Sequence, residues 1–393
     1  MTSPDPGAKS GPASGNAGPG ANAARRDALN RGGNPFSDTR FLSALELAGC
    51  TGQSSGWEAV PVTVGTAEAA YASAWLKQHS RGEFVFDFVW ADASHRAGLH
   101  WYPKLLVAAP LTPVTGPRLM ADDADGRTKL IGQLESQVHQ RQLSSCAVNF
   151  CDPHDCRALD QSGWLKRFDW QFHWFNRGYR DFDEFLNSMR SKPRKNIRRE
   201  RRLAHQDGWR YRWVHGQDID ERELELVSSC YQTTFALYRN LPILNINFFR
   251  EAARLFGPRF LVCIASHGDT DLACSVFWKS DTHLFGRYWG ALEQTSDVHF
   301  EACYYQGIEY CIAHGLKVFE PGAQGEHKIR RGFVPVPTFS YHYIRHPGLR
   351  EGIRSWLELE RQALDQYREQ LQSLIPYLDQ GGEPAGRPGL EPG

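Results

Sequence analysis

A short segment near the end of the chain concentrates ionisable residues among glycines. It runs from Glu320 to Phe333 and reads Glu-Pro-Gly-Ala-Gln-Gly-Glu-His-Lys-Ile-Arg-Arg-Gly-Phe. Glycines let the backbone approach a ligand closely, and carboxylate and imidazole groups have pKa values that proteins can tune toward neutrality. The segment directly follows a predicted buried strand, at the edge where open α/β sheets bind ligands. We therefore expect it to line a ligand site.

A second segment, from Ser191 to Ala204, carries seven cations against a single glutamate. Pro193 is tolerated only in the first turn of a helix, so a helix is predicted to begin near Ser191. Solvated helix faces usually place acids three or four positions from such cations, but here the repulsion is left almost uncompensated. The pattern favours a patch that binds phosphate or nucleic acid. Five cations form its stripe at helical spacing: Arg194, Lys195, Arg198, Arg199 and Arg202.

Several common catalytic signatures are absent. The chain contains no GxSxG, GxxxxGK[ST] or GxGxxG motif, which excludes the usual hydrolase, P-loop and dinucleotide classes. Cys146, Cys151, His154 and Cys156 lie close together, but their spacing straddles a predicted strand end and helix start. Buried small side chains are the better interpretation of these cysteines, and no metal site is predicted.

Composition limits the class of protein. A chain of 393 residues is long enough for two domains, and 41% apolar and 23% charged residues are typical of globular proteins. No apolar run of about 18 residues occurs, so no transmembrane segment is expected. Nine cysteines without CxxC pairs favour reduced thiols and a cytoplasmic location. Lys plus Arg and Asp plus Glu both number 45, so any affinity for phosphate must come from a local patch.

The elements that must position these residues follow one order twice. Strands are predicted over 58–64, 72–76, 104–109, 146–150 and 171–174, then over 209–214, 260–266, 272–279, 283–289 and 317–320. Helices are predicted over 128–142, 155–162, 298–314 and 351–378, with a helix-rich stretch over 182–206. A meander of strands that feeds a helix and returns to a strand predicts two similar lobes in an α/β (α+β) fold. The predicted division is a low-complexity disordered tail 1–33, a first lobe 34–180, a basic helical hinge 181–208, a second lobe 209–346, a C-terminal helix 347–380 and a disordered tail 381–393.

Seven segments carry a resemblance to a known family: 82–92, 102–106, 112–118, 171–174, the basic segment 191–204, 299–305 and 320–333. On these, the chain from Asn34 to His346 resembles predicted N-acyltransferases of peptidoglycan biosynthesis and recognition, which are relatives of the Fem aminoacyltransferases in the GNAT superfamily. Asn196-Ile197-Arg198 is also similar to the R-x-N-I-R-x-A segment of Fem transferases, and Lys328 to Phe333 is similar to their F-K-x-x-F-G segment. The resemblance implies tandem GNAT-like lobes, which we expect to pack face to face, with the loop from Gln324 to Arg331 opening onto a cleft in the second lobe.

Two departures from the family pattern bear on the donor and on the first lobe. The GNAT acyl-CoA loop reads Q/R-x-x-G-x-G/A, but the best match here, from Arg287 to Leu292, ends in a large residue where the pyrophosphate should approach. This favours aminoacyl-tRNA over acyl-CoA as co-substrate, and no tightly bound cofactor is expected. Low-complexity sequence from Met1 to Gly33 stands where the family has an opening strand.

The resemblance implies transfer of an acyl or aminoacyl group to an amine acceptor, which includes a cell-wall peptide precursor. Such a reaction needs a neutral amine, a positioned donor and groups that stabilise the oxyanion, but no covalent nucleophile from the protein. Four residues are the candidates for catalysis: Glu320, Glu326, His327 and Lys328. Eight others are candidates for holding donor or acceptor: Arg287, Glu301, Tyr305, Gln324, Arg331, Asp87, Asp92 and Lys104.

Two other functions remain open at this stage. One is a non-catalytic GNAT-like module that binds a peptidoglycan peptide or RNA, which the absence of single-turnover transfer would indicate. The other is a plain acetyl-CoA-dependent N-acetyltransferase, which protection by acetyl-CoA against heating would favour. The basic stripe makes tRNA an expected partner in the leading interpretation.

Overall fold

The computed structural model describes residues 19–30, 32–65, 69–293, 295, 297–323 and 325–378. The strands within these ranges are β1 Trp57–Ala59, β2 Val62–Val64, β3 Ala70–Ala72, β4 Ala74–Lys77, β5 Lys104–Val107, β6 Met120–Ala121, β7 Ser145–Asn149, β8 Leu165–Phe175, β9 Trp209–His215, β10 Phe260–His267, β11 Thr270–Lys279, β12 His283–Ala291, β13 Val318–Glu320 and β14 Val334–Ile344.

The helices are α1 Pro19–Leu29, α2 Thr39–Leu47, α3 Phe88–Arg96, α4 Ala124–Gln140, α5 Pro153–Ser162, α6 Phe182–Asn187, α7 Ser191–Ala204, α8 Glu221–Leu237, α9 Ile246–Phe256, α10 Val298–Phe300, α11 Gln306–Ala313 and α12 Pro347–Ser373. A π-helical turn, Glu301–Tyr305, joins α10 to α11, and a 3-10 segment, Glu326–Arg331, follows β13. Side-chain caps begin several of these helices: Asp123, Asp152 and Asp220 each accept a backbone N–H of the first turn.

Eleven strands form one mixed sheet in the order β1-β4-β5-β7-β14-β8-β13-β12-β11-β10-β9, and β2, β3 and β6 form a small second sheet. Both halves of the large sheet follow one plan. An antiparallel set leads into a parallel step, which is β5–α4–β7 in the first half and β12–α10–α11–β13 in the second. The two similar α/β lobes predicted from the repeated element order are therefore present.

The lobes exchange strands where they meet. β8 follows β7 along the chain but pairs with β13 of the second lobe, and β14 follows β13 but pairs with β7 of the first. β8 and β14 also pair with each other, over 165–173 and 334–342, so the two lobes share one continuous sheet. The expectation of face-to-face packing is wrong for this reason: the lobes meet edge to edge, through two eleven-residue strands.

The N-terminal boundary also differs from the prediction. The expected tail over 1–33 is too long, because α1 occupies 19–29 and buries Leu29 against Tyr71 and Met120. This helix, and not a strand, precedes the Asn34 element. Residues 1–18 and 379–393, which hold the remainder of both predicted tails, lie outside the described residues. The predicted closing helix is α12.

Large aromatic side chains fill the core of the second lobe on both faces of its sheet. On one face, helices α2, α8 and α9 pack over β10 to β12 around Phe248, Trp278 and Phe285. Phe36 and Phe41, which belong to the first lobe's opening segment, insert into this same cluster. The other face packs α6, α7 and α11 around residues that include Trp174 and Phe319. The first lobe is thus anchored to the second by burial as well as by strand pairing.

Close packing of α8 on β12 gives a test of the fold. A Cβ on Gly290 would lie 1.9 Å from the carbonyl oxygen of Cys230, which belongs to backbone and cannot move aside cheaply. Gly290→Ala is expected to lower the free energy of unfolding by roughly 1–3 kcal/mol, measured by urea denaturation. The matched control is Gly132→Ala in the middle of exposed α4, where no atom lies within 4 Å and a gain of about 0.5–1 kcal/mol is expected. Equal effects of both variants would contradict the packing described.

Candidate active site between the two lobes

The large sheet opens between β12 and β13. These parallel strands pair only from His283–Phe285 to Val318–Glu320, after which β12 continues to Ala291 without a partner on that side in the described residues. β11 pairs Val276 with Tyr288 and Phe277 with Gly286, so Arg287 is the extra residue of a β-bulge. The bulge turns β12 at the place where β13 ends. Arg287 and Glu320 therefore lie at the mouth of a gap between parallel strands.

Glu320 is a buried acid without a hydrogen-bond partner on one oxygen. Its side chain is 9% exposed, and its Oε2 atom accepts no hydrogen bond, although it lies 3.8 Å from Nε2 of His173 on β8. Burial raises the pKa of Glu320 to about 8, because removal of water disfavours the carboxylate more than Arg287 favours it. Burial also lowers the pKa of His173 to about 3, so its ring is neutral near pH 7. The result is a carboxyl group that exchanges its proton near neutral pH.

A loop of the first lobe closes over this site. Arg287 donates from Nη2 to the carbonyl oxygen of Leu111 at 2.8 Å, while its buried Nε has no hydrogen-bond partner. Gln171 of β8 donates to the carbonyl oxygen of Pro113 at 2.8 Å and contacts His173 at 3.2 Å. Burial lowers the pKa of Arg287 from its ordinary value. Residues from both lobes thus complete one polar cluster.

Lys328, in the loop after β13, is a second buried basic side chain beside Arg287. It is 2% exposed and donates from Nζ to the carbonyl oxygen of Gly322 at 2.8 Å. The pKa of Lys328 is lowered to about 7, mainly by burial; Cys303 opposes this lowering, and the charge of Arg287 adds to it. Lys328, Arg287 and Glu320 are the predicted site residues that the structure brings together.

Several other predicted residues are engaged elsewhere. Arg331 forms a bidentate ion pair with Glu200 of α7, with N–O distances of 3.0 and 2.9 Å, and stacks 3.5 Å above the centre of the Phe300 ring. Tyr305 donates to the same Glu200 carboxylate. Glu301 is fully buried and forms an ion pair with Arg201 of α7, with Oε1 at 2.8 Å from Nη2. The hydrogen bonds and ion pairs of these three predicted ligand-binding residues therefore hold the basic helix against the second lobe.

The remaining residues of the loop face outward or lie outside the described residues. His327 contacts the Tyr304 hydroxyl through Nε2 at 3.0 Å and is partly exposed, and burial with neighbouring cations lowers its pKa. Glu326 is exposed and accepts a hydrogen bond from Tyr367 of α12. Gln324 lies outside the described residues.

Two of the first-lobe candidates, Lys104 and Asp87, form a buried ion-pair cluster with Glu83. Lys104, expected to contact an acceptor, is fully buried, with Nζ at 2.6 Å from Glu83 and 2.5 Å from Asp87. Burial opposes its charge, but the two carboxylates outweigh burial and raise the pKa of Lys104. Trp101 donates to Asp87 at 2.7 Å, and Asp92 lies exposed on α3. No described contact joins Lys104 or Asp87 to Glu320 or Arg287, so the structure does not bring the two predicted groups together.

The basic helix α7 has a buried face and an exposed face. Ile197, Ala204, Glu200 and Arg201 point inward, toward the core and the ion pairs described above. The stripe predicted from helical spacing divides accordingly: Arg194 is half-buried, and four cations are exposed on the outer face. These four, called the outer basic stripe below, are Lys195, Arg198, Arg199 and Arg202.

A cavity of about 450 Å³ lies between the lobes. Ala323, Gly325 and Glu326 line it from the second lobe, so the loop after β13 opens onto an interlobe cavity and not onto a cleft within the second lobe alone. Sequence reasoning assigned no role to Gln171 or His173, although the segment 171–174 carried part of the family resemblance. The family resemblance of this segment is the sequence signal that could have identified these two residues.

Two properties of the whole chain complete the description. None of the helices in the described ranges combines the length and apolarity needed to cross a bilayer. All nine cysteines are free, and most are buried among apolar neighbours.

Comparisons with known proteins place this geometry in a family. The FemX crystal structure superposes with a TM-score of 0.52 at 11% identity, covering 84% of this chain and 98% of FemX. The C-terminal domain (DUF2156) of a candidate lysylphosphatidylglycerol synthetase from Agrobacterium fabrum gives a TM-score of 0.54 at 8% identity, covering 84% and 94%. These similarities concern the fold alone: the mixed α/β fold of this chain is similar to that of FemX and of this synthetase domain. Comparison with curated protein sequences finds no match.

The family model named FemAB-like, described as peptidoglycan biosynthesis/recognition, matches residues 21–379. That range includes both lobes, the strand exchange, the basic helix and the loop after β13. The resemblance found from seven sequence segments is thereby confirmed over almost the whole chain. The protein belongs to the FemAB-like family.

Proposed function

We propose that the protein is an N-acyltransferase that joins an acyl or aminoacyl group to an amine at the junction of the lobes. The observation that carries the proposal is Glu320, a buried carboxyl with a free oxygen and a pKa raised to about 8, placed in the gap between β12 and β13. Groups with pKa values near the working pH are the most effective proton acceptors. Family membership and the aminoacyl-lipid synthetase named among the similar folds support the same reaction class.

In the proposed reaction, the amine nitrogen attacks the carbonyl carbon of an ester or thioester donor. A C–N bond forms, the C–O or C–S bond to the carrier breaks, and the amine proton passes to Glu320, which returns it to the leaving group. Arg287 and Lys328 supply positive charge beside the acid and would hold the donor or its developing oxyanion. The neutral ring of His173 lies 3.8 Å from the Glu320 carboxyl without a hydrogen bond to it.

The donor proposed is aminoacyl-tRNA. The outer basic stripe supports it, because four exposed cations on one helix can follow a phosphate backbone, whereas a single diphosphate engages fewer. Leu292, half-exposed at the end of β12, occupies the position at which the GNAT acyl-CoA loop has a small residue. Both donors occur in the cytosol, where the free cysteines also fit, so the reaction is expected there.

The test is single-turnover transfer by the purified protein. Each donor, aminoacyl-tRNA or acyl-CoA, carries a labelled acyl group and is mixed with excess enzyme and a panel of amines. Transfer from aminoacyl-tRNA is the expected result. Transfer from acetyl-CoA alone would replace the donor assignment, and the absence of transfer from every donor would leave a binding module in place of an enzyme.

Salt dependence separates tRNA from a small donor. If the four cations of the outer basic stripe each neutralise a phosphate, log affinity for tRNA should fall with log salt at a slope of about −3. Replacing Arg198, Arg199 and Arg202 together by alanine should reduce that slope to about −1, measured by fluorescence anisotropy. The control Arg222→Ala changes an exposed cation on α8 and should leave the slope unchanged. A flat salt response, or binding that survives the triple replacement, would contradict the role of the stripe.

A further inference from the structure

The interlobe cavity has a lining that the proposed reaction does not yet use. Strands β8 and β14 form its base, residues 84–86 of the first lobe and Ala323, Gly325 and Glu326 of the second reach it from opposite sides, and α12 borders it. Eight aromatic side chains line the cavity, among them Phe84, Phe86, Trp170 and Tyr367. Phe84 and Phe86 are 38% and 49% exposed, which is unusual for phenylalanine in a folded chain. Aromatic rings offered to an open space can bind an apolar or flat group.

The charges of the lining are acidic. Three carboxyl groups, of Asp169, Glu326 and Glu360, face the cavity together with one cation, Arg167. Arg167 is already neutralised, since it forms a bidentate pair with Glu360 at 2.7 and 2.9 Å. Its remaining terminal nitrogen donates to the carbonyl oxygen of Phe86 at 2.6 Å. No charge of Arg167 is left for an anionic ligand.

Two carboxyl groups of the lining, those of Asp169 and Glu326, each accept a hydrogen bond. Asp169 accepts the backbone N–H of Trp170 at 2.7 Å, and Glu326 accepts the hydroxyl of Tyr367. Neither carboxylate forms an ion pair with any residue that the structure describes. Carboxylates beside the negative faces of aromatic rings attract cations and repel anions.

The cavity also adjoins the proposed proton acceptor. Gln171 lines its wall and contacts His173 at 3.2 Å, and His173 lies 3.8 Å from the Glu320 carboxyl. A ligand that fills the cavity therefore ends two side chains away from the group that accepts a proton in the proposed reaction.

We propose that this cavity binds the amine acceptor, as an organic cation with an apolar or aromatic body. The inference rests on the proposed function for the word acceptor, but the binding itself does not require turnover. The ammonium group would be held by Asp169 and Glu326 and by the aromatic faces, and its body would pack on Phe86 and Trp170. Before it attacks the donor, the ammonium loses one proton to solvent, so that the Glu320 carboxylate stays free to accept the second amine proton as the C–N bond forms.

Calorimetric titration of the full chain with three probes that share a phenylethyl body tests the inference. The probes are 2-phenylethylamine, 2-phenylethanol and 3-phenylpropionate, which differ in charge but share an aromatic body. We expect the amine to bind at least about tenfold more tightly than the alcohol, and the carboxylate to bind more weakly than either. Equal affinities, a preference for the carboxylate, or no detectable binding of the amine would overturn the assignment.

Two variants locate the binding. Asp169→Asn is expected to weaken amine binding about tenfold with little change for the alcohol, and Phe86→Ala to weaken both about threefold or more. The matched controls are Glu358→Gln on α12 and Tyr238→Ala at the end of α8, both exposed and outside the cavity lining. Unchanged amine affinity in both cavity variants would show that the amine binds elsewhere.

The outcomes separate this inference from the proposed reaction. Amines that bind through Asp169 but accept no acyl group from any donor would support the cavity assignment and exclude the reaction. Transfer that proceeds only to anionic acceptors, with no amine bound in the cavity, would uphold the reaction and overturn the inference.

Discussion

Glu320→Gln should lower the single-turnover rate of acyl transfer by about a hundredfold while leaving the fold intact. A positioned general base contributes about 10²–10⁴-fold to a proton transfer, and glutamine preserves the shape of the side chain but cannot accept the proton. The free Oε2 atom means that the substitution removes no hydrogen bond that this oxygen makes within the protein. The measurement is quenched-flow transfer under saturating enzyme, with circular dichroism to verify folding.

The pH dependence of the transfer rate tests the same residue and has a definite direction. The carboxylate is the active form, and its pKa is raised to about 8, so transfer should fall about tenfold for each pH unit below that value. In Glu320→Gln this acid limb should disappear. The control Glu369→Gln, an exposed acid on α12, should keep both the rate and the limb. A wild-type rate that stays constant from pH 5 to 8 would remove Glu320 from the mechanism.

Lys104→Met should cost the protein about 3–5 kcal/mol of unfolding free energy. The substitution leaves Glu83 and Asp87 fully buried without their cation, and a buried charge that loses its partner carries this order of penalty. Urea denaturation measures the loss. Adding Glu83→Gln to Lys104→Met should recover part of it, because one uncompensated carboxylate is then removed.

An exposed lysine supplies the comparison. Lys129 pairs with Asp125 one helical turn away on the surface of α4, so Lys129→Met should leave the denaturation midpoint nearly unchanged. If Lys104→Met behaves in the same way, the cluster is open to solvent and a binding role for Lys104 regains support. If stability falls while transfer per folded molecule is unchanged, Lys104 is structural.

The sequence predicted most strands of the second lobe because they are long apolar runs bounded by turns. β10, β11 and β12 appear within a few residues of their predicted ends. β14 was missed, since Pro335 and Pro337 argue against a strand. The structure accommodates these prolines where β14 pairs with β8 alone, because β7 pairs only with Ser340–Ile344. A strand of this kind cannot be recognised without knowing its neighbours.

The candidate site was predictable in its local part. Glu320 and Lys328 were found because they share one short polar segment, and Arg287 because it lies in a motif at the end of the preceding strand. Gln171 and the carbonyl oxygens of the Leu111 loop come from the other lobe, and only the packing of the two lobes together brings them to the site. Helical spacing likewise identified the basic stripe but not its inward face, where ion pairs with the second lobe decide exposure.

The strand exchange also dictates an order of assembly during synthesis. β7 cannot pair with β14, its neighbour on the side of the second lobe, until β14 has left the ribosome, almost two hundred residues later along the chain. The nascent first lobe therefore keeps an unpaired sheet edge during about half of translation, until the strands of the second lobe have also been made. Both lobes therefore complete their parts of the sheet late in synthesis and together. A fragment that contains only one half of the chain would lack a strand that the other half supplies.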